Sequence, residues 1–223
     1  MTQVTNAPLE PRISDETLNF LTHALGFVLS LVGAVVLILA ARAYGNFWQI
    51  LGCAIYGACL IALYAASMLS HSFEQPKARS FFRMLDQVCI FLLIAGTYTP
   101  FALAFMRDGW LWVVLLMMWL LAAVGIMFKL MFRRLDNVAT FFYVAMGWMP
   151  VFAVRPIMDR VPGEALLLLL LGGVLYTVGT LFLHRDDRVR YFHALWHLFV
   201  LAASACHYLA VILFVIPWPT AGR

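Results

Sequence analysis

Charge is what this chain has least of. Only 12% of its 223 residues are Asp, Glu, Lys or Arg, while 64% are hydrophobic, and a soluble globule cannot cover its surface with that mixture. Lysine is scarcer still, limited to Lys77 and Lys129. Both lie at the ends of apolar runs and none lies in the last run, which excludes a retinal protein built on a Schiff-base lysine. The four cysteines, Cys53, Cys59, Cys89 and Cys206, all fall inside apolar runs, so they read as small buried hydrophobes. A disulfide framework and a cysteine-type zinc motif are thereby excluded. Long polar stretches are missing too, which leaves no room for a second domain, a linker or a low-complexity tract.

What the chain has instead is seven apolar runs near the ~20 residues that a helix needs to cross a ~30 Å hydrocarbon core. They cover 18–42, 47–71, 83–106, 110–131, 138–156, 163–183 and 192–216. The expected architecture is an all-α membrane protein, a seven-transmembrane helix bundle, with segments 1–17, 18–216 and 217–223 as N-terminal segment, bundle and tail. Residues 1–17 carry Pro8, Pro11 and a Ser14-Asp15-Glu16 helix start. They lack the basic region and short apolar core of a cleaved signal peptide.

The net charge of +4 encodes orientation rather than nucleic-acid binding. With the N-terminus inside, ten basic residues are cytoplasmic: Arg12, Lys77, Arg79, Arg83, Lys129, Arg133, Arg134, Arg185, Arg188 and Arg190. Five fall outside: Arg42, Arg107, Arg155, Arg160 and Arg223. The expectation is a multi-pass protein of the cell membrane, the inner membrane in a bacterium, with a cytoplasmic N-terminus and an external C-terminus. Trp48, Trp110, Trp112 and Trp218 then fall at outer ends, where amphipathic rings favour the interface. A G-protein-coupled receptor would place its N-terminus outside. An ion-coupled transporter would set ionisable groups near mid-bilayer in broken helices, where only His207 is a candidate, with Pro100 and Pro150 the prolines placed to kink a span.

Polar side chains at membrane depth are costly, so a cluster at a common depth points to function. This topology puts His71, Asp86, His193 and His197 at one depth, at the cytoplasmic ends of the second, third and seventh spans. His193 and His197 are an i, i+4 pair, about 40° apart around a helix and ~6 Å along it, so one metal ion can be reached by both. The zincin helix uses the same spacing, although the Glu that follows its first His is absent. With His71 as third nitrogen, the set matches three protein ligands and an open fourth position, the arrangement of catalytic zinc. Asp86 is placed to take a proton from water, or alternatively to pair with Arg83 or Arg79. Ser67, one turn deeper than His71, can bond a water or substrate carbonyl, or back-bond to its own helix. Glu16, Asn19 and His23 form a polar stripe on the first helix, read as orienting the site through hydrogen bonds, with His23 as an alternative ligand. His207, about 15 Å further along the last helix than His197, reads as an interhelical histidine. His184 falls in the polar 184–190 loop.

The stretches Glu16-x-x-Asn19-x-x-Thr22-His23-x-x-Gly26, Ser67-x-x-x-His71, Leu85-Asp86 leading into Ile94-Ala95-Gly96-Thr97-Tyr98-Thr99-Pro100-Phe101, and His193-x-x-x-His197 resemble the haemolysin III proteins. These form the bacterial branch of the progestin and adipoQ receptor family, and the resemblance covers nearly the whole chain. It implies seven helices, a cytoplasmic N-terminus and a zinc ion near the cytoplasmic face. By motif position the zinc histidines fall on His71, His193 and His197, the water-binding aspartate on Asp86 and the family serine on Ser67. A wider similarity to alkaline ceramidases implies hydrolysis of a lipid amide or ester, in the service of membrane homeostasis. The eukaryotic receptors' long N-terminal extension has no counterpart, so hormone recognition is not implied.

Two functions are therefore expected as alternatives. One is a zinc-dependent lipid hydrolase with a lipid substrate in the bundle cavity. The other is a non-enzymatic lipid-sensing or regulatory protein whose zinc is structural. Membrane lipids are the expected partners in both, and nucleic acid in neither. Small residues around Gly52, Cys53 and Gly57 and at Gly172-Gly173 suit intramolecular packing and a dimer equally.

Overall fold

Seven apolar runs become seven helical crossings, but the helix ends are set by capping chemistry that hydropathy does not contain. The computed structural model describes residues 14–107, 110–133 and 135–217. Ser14 accepts the Thr17 amide at 3.1 Å, and Asp15 and Glu16 place negative charge where the helix dipole favours it. Helix α1 accordingly runs Asp15–Tyr44, starting before the apolar run does. Asn46 and Gln49 form a reciprocal capping box that opens α2, Phe47–Ser70, and His71 caps its far end. Helix α3 spans Pro76–Phe105, seven residues ahead of the expected start at 83. Proline suits the first turn, where its missing amide is no loss. Lys77, Arg79 and Arg83 thus ride on the helix, and Asp86 lies nearly three turns into it instead of one.

Helix α4 spans Leu111–Met131. The fifth crossing, expected as one helix over 138–156, is built from three pieces: α5 at Asp136–Trp148, a 3-10 turn at Met149–Ala153 and α6 at Val154–Met158. Pro150 sits in the turn and supplies the reason, because it cannot donate the hydrogen bond that an α-helix needs there. Helix α7 runs Gly163–Leu183, and α8 runs Phe192–Ala210 before ending in a π-helical turn at Val211–Val215. Tyr191 enters α8 with φ 64, a left-handed conformation costly for a bulky residue, which turns the chain sharply just ahead of His193.

Helices α1, α2 and α3 pack in sequence, α7 packs on α8, and α8 closes the bundle against α1. At Gly52 the approach is backbone to backbone: a Cβ there would lie 2.7 Å from the Pro100 Cα. Outside, Leu25, Val28, Val32, Val35 and Leu39 of α1 are all more than half exposed, an apolar face suited to lipid alone. All seven crossings are long and apolar enough to span a bilayer, and the chain is a multi-pass cell-membrane protein.

One end of the bundle gathers the start of α1, the end of α2, the start of α3 and the start of α8, with Lys77, Arg79, Arg83, Lys129, Arg133, Arg185, Arg188 and Arg190. The opposite end holds Arg42, Arg107, Arg155 and Arg160 together with Trp48, Trp110 and Trp112. Arg12, Arg134, Trp218, Arg223 and most of segments 1–17 and 217–223 lie outside the described residues.

Candidate metal centre

Three imidazoles meet at the basic end of the bundle. His71, His193 and His197 each offer a ring nitrogen within 4.8 Å of the others. Their ring centroids are 5.1 Å apart for His71 and His193, 5.2 Å for His71 and His197, and 4.5 Å for His193 and His197. The helix spacing explains the last pair, and the sharp turn at the end of α2 brings His71 to them.

Each ring is fixed through its Nδ1 atom. His71 donates Nδ1–H to Glu16 Oε2 at 2.8 Å, and Arg79 holds the other carboxylate oxygen at 3.0 Å. His193 donates Nδ1–H to Asp186 Oδ2 at 2.5 Å. His197 lies 3.0 Å from the Thr22 hydroxyl, whose own proton goes to the Leu18 and Asn19 carbonyls, both at 2.9 Å. Thr22 must therefore accept, and Nδ1 of His197 must donate. With all three Nδ1 atoms protonated, all three Nε2 lone pairs are left free. Metal-bound histidines are held in just this way, by an acceptor on the other nitrogen that fixes tautomer and ring direction. The donor set fits a divalent ion that takes imidazole, with zinc among the best suited.

Asp86 and Ser67 sit beside this triad rather than in it. The Ser67 hydroxyl lies within hydrogen-bonding reach of the Asp86 carboxyl. Among the described residues Ser67 makes no back-bond to a helix carbonyl, unlike Ser70, whose hydroxyl donates to the Ser67 carbonyl at 2.8 Å. Nor does Asp86 form a salt bridge there. Arg79, one of its expected partners, is committed to Glu16.

Asp86, Ser67 and His23 all line a cavity of about 600 Å³ that runs down the bundle between α3, the broken fifth crossing, α7 and α8. Its wall is almost wholly apolar, with Leu93, Phe101, Ile157, Leu166 and Val200 along its length and His207 further down. Such a shape suits a long hydrocarbon chain with a polar end at Asp86.

The polar stripe on α1 divides its roles. Glu16 reaches His71 directly. Asn19 presents its backbone carbonyl to Thr22, while its buried side-chain oxygen has no hydrogen-bond partner among the described residues. His23 does not make the expected orienting hydrogen bond: neither ring nitrogen has a described partner, and the ring packs edge-on against His197 at 3.7 Å between centroids. His207 bonds the Leu169 carbonyl of α7 through Nε2 at 3.2 Å, and His184 is exposed at the end of α7. Sequence reasoning missed Asp186 and Thr22. Thr22 stands in the first motif beside His23, and Asp186 stands in a polar loop seven residues ahead of His193. A search for acceptors to the second nitrogen of each histidine is the signal that finds both.

The family described as Haemolysin-III related matches residues 12–208. The chain belongs to the haemolysin III family. A "Hemolysin-3" of Bacillus cereus is 39% identical over 206 residues, 92% of this chain and 94% of that one. A "Hemolysin-3 homolog" of Bacillus subtilis is 38% identical over 208 residues, 93% of this chain and 97% of that one. The human "Monocyte to macrophage differentiation factor" is 30% identical over 225 residues, 96% of this chain and 90% of that one, so the likeness extends to the wider progestin and adipoQ receptor family. The family match takes in His71, His193 and His197.

Proposed function

We propose that this haemolysin III protein is a zinc-dependent membrane hydrolase that cleaves an amide or ester bond in a lipid at the cytoplasmic face, in the service of membrane homeostasis. The observation that supports it is a pairing: the ring nitrogens of three histidines come within 4.8 Å of one another next to an apolar cavity whose polar end is Asp86 and Ser67. Zinc held by His71, His193 and His197 would supply a Lewis acid that brings the pKa of water to about 7 and polarises a carbonyl. The cavity holds the acyl chain and keeps bulk water from the scissile bond. Asp86 then acts as general base, taking the proton of the attacking water, and later returns it to the leaving group. Ser67 keeps the carboxyl turned toward that water. Glu16, Asp186 and Thr22 hold the three rings in one tautomer.

Elemental analysis of the purified protein should give one zinc per chain, and His193→Ala should lower it. Asp86→Asn and Ser67→Ala should keep the zinc and the fold but lose hydrolysis of ceramide or ester lipids presented in micelles. Absence of stoichiometric zinc in the wild type sinks the proposal.

One observation favours the second reading, a lipid-sensing protein with a structural zinc. His23 is 3% exposed, touches His197 and has both ring nitrogens without a described partner. As a fourth ligand it would close the open position. In that case Asp86→Asn changes nothing measurable, and removal of any histidine ligand lowers thermal stability.

A further inference from the structure

Between the start of α3 and the end of α4, Pro76, Lys77, Ser80, Phe81, Met84 and Arg133 line a hollow of about 530 Å³ at the same end of the bundle. It is separate from the histidine cluster and from the long cavity, and it rests on neither. We propose that it is a binding site for the headgroup of an anionic phospholipid.

Charge is the first argument. Four of the eight described cations at this end are matched by a carboxylate: Arg79 by Glu16, Arg190 by Asp15, Arg188 by Asp187 and Lys129 by Asp136. Among the described residues Lys77, Arg83, Arg185 and the Arg133 side chain have no such partner, and of these Lys77 and Arg133 line one hollow. Asp136, the carboxylate nearest Arg133 in sequence, is already held by Lys129 and by Gln87, and Glu74, the one nearest Lys77, forms no ion pair with it. Two unneutralised cations, one on α3 and one just past the end of α4, make a site for a single diffuse negative charge.

The second argument is fixed geometry. Lys129 donates to the Arg133 carbonyl at 3.0 Å, which ties down the chain where α4 ends. On the other wall, α3 begins without any side-chain cap. Pro76 has no amide to offer, and the Lys77 and Ala78 amides of the first turn have no acceptor in the helix.

Order along the hollow decides for a lipid over a free anion. Going into the membrane along α3 the wall reads Lys77, then Ser80 and Phe81, then Met84, and Phe81 is 53% exposed. Charge, hydroxyl and apolar surface follow one another over about two turns, the same order as phosphate, glycerol backbone and acyl chain in a phospholipid. Inorganic phosphate would use the first part and leave Phe81 and Met84 bare.

Native mass spectrometry of the full chain in detergent tests this, with equimolar phosphatidylglycerol and phosphatidylcholine of matched acyl chains. Wild type should retain phosphatidylglycerol preferentially, by about fivefold for each of the two basic residues. Lys77→Gln/Arg133→Gln should bring the two lipids to parity, while Arg188→Gln, an exposed cation at the same end, should leave the preference intact. If the double variant does not fold, Lys77→Gln alone should still cut the preference about fivefold. Equal retention of both lipids by wild type overturns the site. So does an equal loss with Arg188→Gln, which would mean a general field, or full displacement by millimolar inorganic phosphate, which would mean a free-anion site.

Discussion

The Asp186 carboxylate takes the Nδ1 proton of His193 at 2.5 Å, and that bond determines which nitrogen of His193 faces His71 and His197. Asp186→Ala should therefore weaken metal binding without removing a ligand. An acceptor on the far nitrogen of a metal-bound histidine is typically worth 10–100-fold in affinity. Competition with a chromophoric chelator measures it. Unchanged affinity would mean that His193 is oriented by its helix alone.

Thr22 performs the same task for His197 with a hydroxyl in place of a carboxylate. Thr22→Val keeps the branched shape and takes the hydroxyl acceptor away from Nδ1–H of a ring that is 1% exposed. Metal affinity should fall about tenfold, at the weaker end of the same range. Thr22→Ser should restore it, because it returns the oxygen. A valine variant that binds as wild type does would show that packing against His23 is enough to hold His197.

The two acceptors mark the limit of what sequence reading could deliver. His71, His193 and His197 were legible because membrane depth and i, i+4 spacing are both one-dimensional properties. Glu16 was legible as part of a helical stripe. Asp186 was not, because its partner is chosen by the left-handed turn at Tyr191, which no pattern in the loop announces. The seven crossings were readable from hydropathy, but the start of α3 was displaced by seven residues, since apolar runs report where lipid lies and a helix continues past it. Pro150 marked the weak point of the fifth crossing. The length of the resulting 3-10 segment depends on packing that sequence does not show.

Gly52 tests how tightly the helices that carry the site are joined. A methyl group there would meet the Pro100 Cα at 2.7 Å, and backbone cannot swing aside as a side chain can. Gly52→Ala should lower thermal stability by about 1–3 kcal/mol, the usual cost of overpacking a filled interior. A fluorescence melt of the detergent-solubilised protein checks it, and an unchanged melting temperature would mean that α2 and α3 can slide apart at no cost. Because Gly52 lies at the end away from the histidines, metal content should be unaffected.

Lys129 and Asp136 form an ion pair with two unequal halves. The Lys129 side chain is 1% exposed, whereas that of Asp136 is 63% exposed. Removing the carboxylate by Asp136→Ala leaves an ammonium buried between α3, α4 and α5 with only the Arg133 carbonyl as described partner. Removing the lysine by Lys129→Met leaves a carboxylate that is already largely in water and still bonded by Gln87 at 3.2 Å. The first change strands a charge, and the second replaces a buried charge with an apolar side chain of similar length. Asp136→Ala should thus be the more destabilising by about 1–3 kcal/mol, below the full cost of breaking a buried pair because one partner is solvated. Adding Lys129→Met to Asp136→Ala should recover much of the loss, since the stranded ammonium is gone. Thermal melts of the two single variants and the double variant decide the point. If Lys129→Met is as damaging as Asp136→Ala, the pair contributes attraction rather than mere neutralisation, and the double variant will show no recovery.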